Sequence, residues 1–284
     1  MPKRLERTGV MLAHPATTKR LAAFPDKFLC QPKYNGERCR VVWYDGEPFF
    51  ISSYGNEFKF LDHLKKEILD YRRGFLREPE FDGEIYVHGW KREDIHSAVS
   101  RKVTRKEEVE QLEFHIFDVN DSQLLQVDRT IYLGSTIHLH CWNKVKFVPT
   151  QWTTHSLWES YALRYIEDGY EGIILRHPEA IYQPKRVPTL LKFKPTEFDD
   201  YEIVGLKPGA GWCEGMLGAF MVKGEDSTTF YVGTGPELTK ENRIKYWKIR
   251  DELLGAKLRV KHEPIKTRGG FPVCTVAMEV IFNG

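Results

Sequence analysis

No stretch of the 284-residue chain approaches the ~20 consecutive apolar residues that a membrane-spanning helix needs, and its start lacks a signal-peptide core. These absences exclude a helical membrane protein and point to the cytoplasm, or to the host cell's cytoplasm if the chain is viral. Cysteine is sparse: Cys30, Cys39, Cys141, Cys213 and Cys274 are scattered and odd in number. None is spaced Cys-x-x-Cys, which excludes a ribbon-type metal site and a disulfide framework and leaves reduced thiols. Charge of one sign is also missing. A net charge of +2 excludes a polycationic nucleic-acid binder, so any such contact must rest on a local basic surface. What remains, 41% hydrophobic and 29% charged, is an ordinary globular composition, and the length allows two domains.

The first 27 residues are basic and mixed (Lys3, Arg4, Arg7, Lys19, Arg20), an arm along a polyanion or a loosely packed terminus. Next comes Gln31-Pro32-Lys33-Tyr34-Asn35-Gly36-Glu37-Arg38 between the apolar runs Phe28 to Cys30 and Val41 to Trp43. Proline keeps its approach extended and Gly36 permits a tight turn, so Lys33 is either a candidate amine nucleophile or a surface lysine in a hairpin. Asp45-Gly46 predicts a hairpin between Val41–Tyr44 and Phe49–Ile51. Leu61, Leu64, Ile68 and Tyr71 recur at helical spacing. Strands are expected at 81–87, 114–119, 171–176 and 190–195, and a short helix at 90–100. Capping boxes at Thr104/Glu107 and Ser156/Glu159 predict helices through Leu112 and to Gly169. His115 reads as a satisfied core or edge histidine rather than a metal ligand, since no His or Cys partner has metal spacing.

Beyond Pro195 the texture changes. Glycines crowd in (Gly205, Gly209, Gly211, Gly215, Gly218, Gly224, Gly233, Gly235) between short strands, which predicts a small barrel from about residue 198. One helix, capped by Thr239, is expected from Lys240 to Leu254. This part carries twelve Lys+Arg and twelve Asp+Glu, so nucleic-acid contact there requires a patch such as Lys240, Arg243, Lys245, Lys248 and Arg250.

Five separated pieces form an ordered set: Lys33 with Gly36 and Arg38, Asp82-Gly83-Glu84, Phe117-Asp118, Glu171-Gly172, and Lys192-x-Lys194. This order resembles the nucleotidyltransferase superfamily of ATP-dependent DNA ligases, RNA ligases and mRNA-capping enzymes. The glycine pattern from Val204 to Gly235 resembles the OB-fold of small, phage-like ATP-dependent DNA ligases. The resemblance implies an α+β chain: a nucleotidyltransferase domain of antiparallel sheets flanked by helices at 1–197, then an OB-fold β-barrel at 198–284. It further implies a ligase that seals nicks in double-stranded DNA, as a monomer that closes around its substrate, in repair, replication and recombination.

The same resemblance implies the roles. Lys33 attacks the α-phosphorus of ATP and holds AMP. Arg38, Lys192, Lys194 and a divalent cation favour its neutral amine, and the two later lysines hold the α-phosphate. Glu171 organises Mg²⁺, or Mn²⁺ in its place. Glu84 takes the ribose hydroxyls and assists with metal, Phe117 stacks on adenine, and Gln31 lies near the adenine amino edge. Three departures stand out: Asn35 replaces the usual Asp, Ser53 replaces the arginine that would hold phosphate at the nick, and the basic C-terminal motif is absent. Lys261, Lys266 and Arg268 are the nearest substitutes. Only 32 residues precede Lys33, which disfavours NAD dependence, and a Gly-rich barrel disfavours an RNA ligase. A capping-type guanylyltransferase and a catalytically silent nucleic-acid-binding module are the rival readings.

Overall fold

The computed structural model describes residues 9–72, 78–137, 143–224, 228–266 and 270–282. The chain passes from a larger compact unit to a smaller one between Lys194 and Pro195. The larger unit contains β1 (Leu12–Pro15), β2 (Lys27–Lys33), β3 (Glu37–Tyr44), β4 (Glu47–Ser52), β5 (Phe81–Tyr86), β6 (Glu113–Val119), β7 (Val145–Phe147), β8 (Gln151–Thr154), β9 (Gly172–Arg176) and β10 (Arg186–Phe193). Its helices are α1 (Thr18–Leu21), α2 (Asp62–Arg72), α3 (Arg92–Val99), α4 (Gln126–Ile137) and α5 (Trp158–Glu167). The strands form two sheets, ordered β1-β10-β9-β2-β8 and β4-β3-β5-β6-β7. Pairing is antiparallel except for β1 with β10 and β6 with β7, which are parallel.

Alternation along the strands decides which residues face the cores. On the first sheet Phe28, Cys30, Ile173, Leu175 and Leu191 pack against Trp158, Ala162 and Tyr165 of α5. On the second, Val41, Phe81, Ile85, Phe114 and Ile116 pack with Leu64 and Ile68 of α2 and Ile95 and Val99 of α3. Each such side chain, fully withdrawn from water, contributes roughly 1.5–3 kcal/mol. The intervening residues, Gln31, Lys33, Arg176, Lys192 and Lys194 on one sheet and Arg38, Glu84 and Phe117 on the other, line a common pocket.

The smaller unit contains β11 (Glu197–Pro208), β12 (Leu217–Lys223), β13 (Thr229–Val232), α6 (Lys240–Lys248), β14 (Lys257–Lys266) and β15 (Pro272–Ile281). Its strands form one antiparallel sheet ordered β13-β12-β11-β14-β15. The Ala277 amide of β15 donates to the Thr234 carbonyl just past β13 at 2.7 Å, so the two edges are drawn together around Ile203, Phe220, Val222, Leu258 and Val260.

Several local expectations are corrected. The lysine turn is no hairpin: β2 pairs with β8 and β9, whereas β3 pairs with β4 and β5, so the turn carries the chain from one sheet to the other. The N-terminal segment is not a free arm from residue 9 on, because Val10 and Met11 are buried and β1 completes a sheet; Lys3, Arg4 and Arg7 lie outside the described residues. Thr104 caps nothing. A single 3-10 turn, Glu107–Gln111, follows Lys106 there, with only Val109 and Leu112 buried to support it. Ser156 is bonded to Thr154 instead of capping α5, which starts at Trp158. Thr239 does cap α6, accepting from the Asn242 amide at 3.1 Å, yet α6 ends at Lys248 because the chain must turn to bury Leu253 and Ala256. The basic row on α6 is broken at its centre. Arg243 is buried and donates to the carbonyls of Leu217, Gly218, Gly233 and Leu238. Arg268 and Cys141 lie outside the described residues, and the other four cysteines form no disulfide among the described residues.

Two stability outcomes follow from these contacts. Arg243→Met strands four carbonyls inside the smaller unit and should cost about 3 kcal/mol or more in urea unfolding, since each orphaned buried acceptor costs ~1–3 kcal/mol. A loss under ~0.5 kcal/mol would show the guanidinium to be dispensable. Gly172→Ala places a Cβ 2.2 Å from the Phe193 carbonyl oxygen across the β9–β10 pair. It should destabilise the larger unit by roughly 1–3 kcal/mol as the strands are forced apart, and an unchanged denaturation midpoint would contradict that.

Candidate active site

All eight residues singled out from the sequence, Gln31, Lys33, Arg38, Glu84, Phe117, Glu171, Lys192 and Lys194, line one pocket between the inner faces of the two sheets of the larger unit. Lys33 is the last residue of β2, opposite Gly172 of β9. The Glu171 amide donates to the Lys33 carbonyl at 2.9 Å, which seats the glutamate beside the lysine side chain. Glu171 then bridges two cations: one carboxylate oxygen meets Lys33 Nζ and the other meets Lys194 Nζ. Burial alone would raise this carboxyl, but Lys33 and Lys194 hold it below the usual carboxylate range. Lys192, two residues before Lys194, is held below the ordinary lysine value by burial and then by the charges of Lys194, Lys33 and Arg186.

Gly36 makes the sheet-to-sheet turn fit. A Cβ there would lie 2.1 Å from the Ile85 carbonyl oxygen, so only glycine allows the turn to rest on β5. Its amide donates to Glu84 Oε1 at 3.2 Å and its carbonyl accepts from Arg92 Nε at 3.1 Å. Burial pushes the Glu84 carboxyl up to about 7, against the pull of Lys33 and Arg38.

The Phe117 wall is built from buried ions. Arg38 is paired with both oxygens of Asp82 and places its guanidinium carbon 4.4 Å from the Phe117 ring centre, a cation–π contact. Arg176 lies 5.5 Å from the same ring. It donates to Asp118 at 2.6 Å, and Asp118 also receives Arg129. Gln31 is locked in place: Nε2 donates to the Phe117 carbonyl and to Thr150, while Oε1 accepts from Arg176. Its amide is thus occupied in holding the wall. His115, expected to be a satisfied core residue, is bonded to Glu113 at 2.9 Å and packs on Tyr34.

Sequence reasoning missed Arg176, Arg186 and Arg92, which also line the pocket. Arg176 ends the strand that begins at Gly172, and its place at an alternate position from Ile174 was the available signal. For Arg186 and Arg92 the sequence offered none. Ser53 and Asn35, the two departures nearest the lysine motif, are pocket residues as well. The arrangement presents an amine, a bank of cations and two carboxylates beside an aromatic ring, a chemistry suited to a nucleoside triphosphate. Among the described residues no three His, Cys, Asp or Glu side chains cluster as a metal cage. Glu84 and Glu171 suit Mg²⁺, which takes one or two carboxylates and draws its other ligands from phosphate and water.

Comparison with known proteins supplies the family. Residues 10–194 match the ATP dependent DNA ligase domain. The chain is 25% identical to an African swine fever virus DNA ligase over 295 residues, covering 95% of this chain and 69% of that protein. It is 26% identical over 162 residues to the Haemophilus influenzae DNA ligase, covering 56% of this chain and 59% of that one. A solved Lig E DNA ligase shares the fold, with a TM-score of 0.78, 20% identity and coverage of 96% and 98%. The smaller unit is therefore the OB-fold that accompanies a nucleotidyltransferase domain, and the chain belongs to the ATP-dependent DNA ligase domain family.

Proposed function

We propose that this protein seals nicks in duplex DNA through a covalent lysyl-AMP intermediate at Lys33. The observation that carries the reading is the placement of Lys33 Nζ against Glu171 at the base of a pocket shared with Lys192, Lys194 and Phe117. Lys33 Nζ, once neutral, forms a bond to the α-phosphorus of ATP as the bond to pyrophosphate breaks. Lys192 and Lys194 meet the charge that builds on the α-phosphate oxygens. A 5′-phosphate at the nick then takes AMP from Lys33, and the adjacent 3′-hydroxyl displaces AMP to close the strand. Glu171 and Glu84 would hold Mg²⁺, which would neutralise phosphate charge when bound. Phe117 offers the face for adenine, Glu84 the acceptor for ribose hydroxyls, and Gln31 fixes the Phe117 carbonyl rather than spending its amide on the base. Residues 1–197 and 198–284 are proposed to act as separate adenylyltransferase and OB-fold domains gripping the same nicked duplex, with the protein a monomer in the cytoplasm.

Incubation with α-labelled ATP or GTP and magnesium tests the reading. The protein should acquire acid-labile, base-stable label from ATP and not from GTP, and Lys33→Ala should abolish it while the chain still unfolds cooperatively. Label from GTP would favour a capping-type enzyme. Nick binding without any covalent label would favour a silent binding module.

Binding to a nicked duplex should weaken steeply with salt, because the net charge of +2 obliges the protein to use a local basic surface. Each neutralised phosphate contributes about −0.9 to the slope of log K against log salt. A flat response from low to physiological ionic strength would count against a grip on the phosphate backbone.

A further inference from the structure

Four groups close a ring of hydrogen bonds behind the Phe117 wall. The Met11 amide donates to the Tyr182 hydroxyl oxygen at 3.2 Å, and that hydroxyl donates to Asp82 Oδ2 at 2.6 Å. Asp82 receives Arg38 through both oxygens, with Nε to Oδ1 at 2.7 Å and Nη2 to Oδ2. Arg38 Nη2 also donates to the Met11 carbonyl at 3.2 Å, returning the ring to the residue where it began. Three of these groups come from distant parts of the chain: Met11 precedes β1, Asp82 lies on β5, and Tyr182 follows the Leu125–Ile181 bridge. Tyr182 is 1% exposed and Asp82 is fully buried, and neither lines the pocket. Burial, and then the Asp82 charge, push the phenol far above its ordinary value, so the hydroxyl keeps its proton and remains a donor.

The ring has one member that reaches the pocket, Arg38, whose guanidinium lies over Phe117. An arginine side chain has many rotamers, and a single carboxylate partner leaves the pair free to swing as a unit. Tyr182 and the Met11 carbonyl together remove that freedom: the carbonyl holds Nη2 directly, and the tyrosine bond to Oδ2, the third that Asp82 accepts, fixes the plane of the carboxylate and hence of the guanidinium paired to it.

We infer that Tyr182 is a positioning residue for nucleotide uptake, its hydroxyl locking the Asp82–Arg38 pair so that the guanidinium is held against the Phe117 ring where a purine nucleotide enters. The inference rests on the reading that this pocket takes ATP. The buried hydroxyl acts on affinity for the nucleotide rather than on the transfer to Lys33, since Lys33, Glu171, Lys192 and Lys194 stand outside the ring of bonds.

The experiment is single-turnover AMP labelling of the full chain over a range of ATP concentrations, for wild type, Tyr182→Phe, Arg38→Lys, which keeps a cation beside buried Asp82 without the planar fork, and the double variant. Tyr182→Phe should raise half-saturating ATP about tenfold, the scale of one charge-assisted hydrogen bond, and leave the limiting rate within about twofold. In the Arg38→Lys background the same substitution should change half-saturation less than about twofold, because the planar guanidinium it acts through is gone. A purely structural tyrosine would instead lower the unfolding midpoint and slow labelling at all ATP concentrations, with equal effect in both backgrounds. Unchanged half-saturation in Tyr182→Phe, or additive effects in the double variant, overturns the inference alone. Absence of labelling in wild type overturns it together with the reading of the pocket. If Tyr182→Phe does not fold, Asp82→Asn, which keeps the hydroxyl but removes its charged acceptor, must show the same loss of ATP affinity and the same dependence on Arg38; failure there is equally decisive.

Discussion

A single carboxylate lodged between two ammonium groups is the contact on which the pocket depends. Lys33, Lys192, Lys194 and Arg186 bring four positive charges to one face of one sheet, and Glu171 is the anion that Lys33 and Lys194 share. Two like charges 4 Å apart repel by about 4 kcal/mol at the effective dielectric of a protein surface, so the bank could not assemble without it. Glu171 is buried, yet both its oxygens are satisfied and its own backbone amide is bonded to the Lys33 carbonyl. The backbone therefore sets the distance between carboxylate and amine before the side chains interact. Gly172 completes the arrangement, because any side chain there would strike the Phe193 carbonyl and push away the strand that ends next to Lys194.

The opposite wall solves a different problem, how to keep cations close to an aromatic ring without water. Here two carboxylates serve three guanidiniums: Arg38 has Asp82, while Arg129 and Arg176 share Asp118. Burial would raise Asp118, but Arg176 and Arg129 hold it below the usual carboxylate range. Removing one partner of such a set leaves an uncompensated buried charge, which costs far more than the pair contributes. The two walls thus differ in character. On the first, Lys33 and Lys194 share one carboxylate with Lys192 and Arg186 beside them; on the second, most of the charge is already paired, and what faces the pocket is the ring of Phe117 with Arg38 over it.

Much of this was legible in the sequence, because strand alternation is a local signal. Lys192 and Lys194 flank Phe193, which packs with Trp158 on the far side of the sheet, so the unusual pair of same-face lysines was already a statement about a polar pocket. Asp45 and Gly46 both adopt positive φ in the turn that their dipeptide suggested. The failures have a common physical origin in long-range pairing. Helix α4 went unread because its buried face carries Arg129 while Ile131 is exposed, the reverse of hydrophobic expectation at those two positions, and Asp118 on another strand accounts for the arginine. The four-residue β1, with a histidine and a proline, is too short to announce itself and exists because β10 offers an edge. The caps at Thr104 and Ser156 had the right letters but lacked helices with enough buried surface to start where they stood.

The parallel pairing of β1 with β10 has a consequence for how the protein is made. Leu12 is aligned with Arg186 and Pro15 with Lys192, so β1 leaves the ribosome well before the strand it pairs with, which is one of the last of its unit. The second sheet, by contrast, is built mainly from strands close in sequence, and β3, β4 and β5 can pair while the rest is still being synthesised. Met11, one residue before β1, sits in the ring that orients Arg38. A nascent chain therefore carries Lys33 and Phe117 well before Arg176 and β10 are made, and the pocket proposed to take the nucleotide is complete only when β1 and β10 are joined.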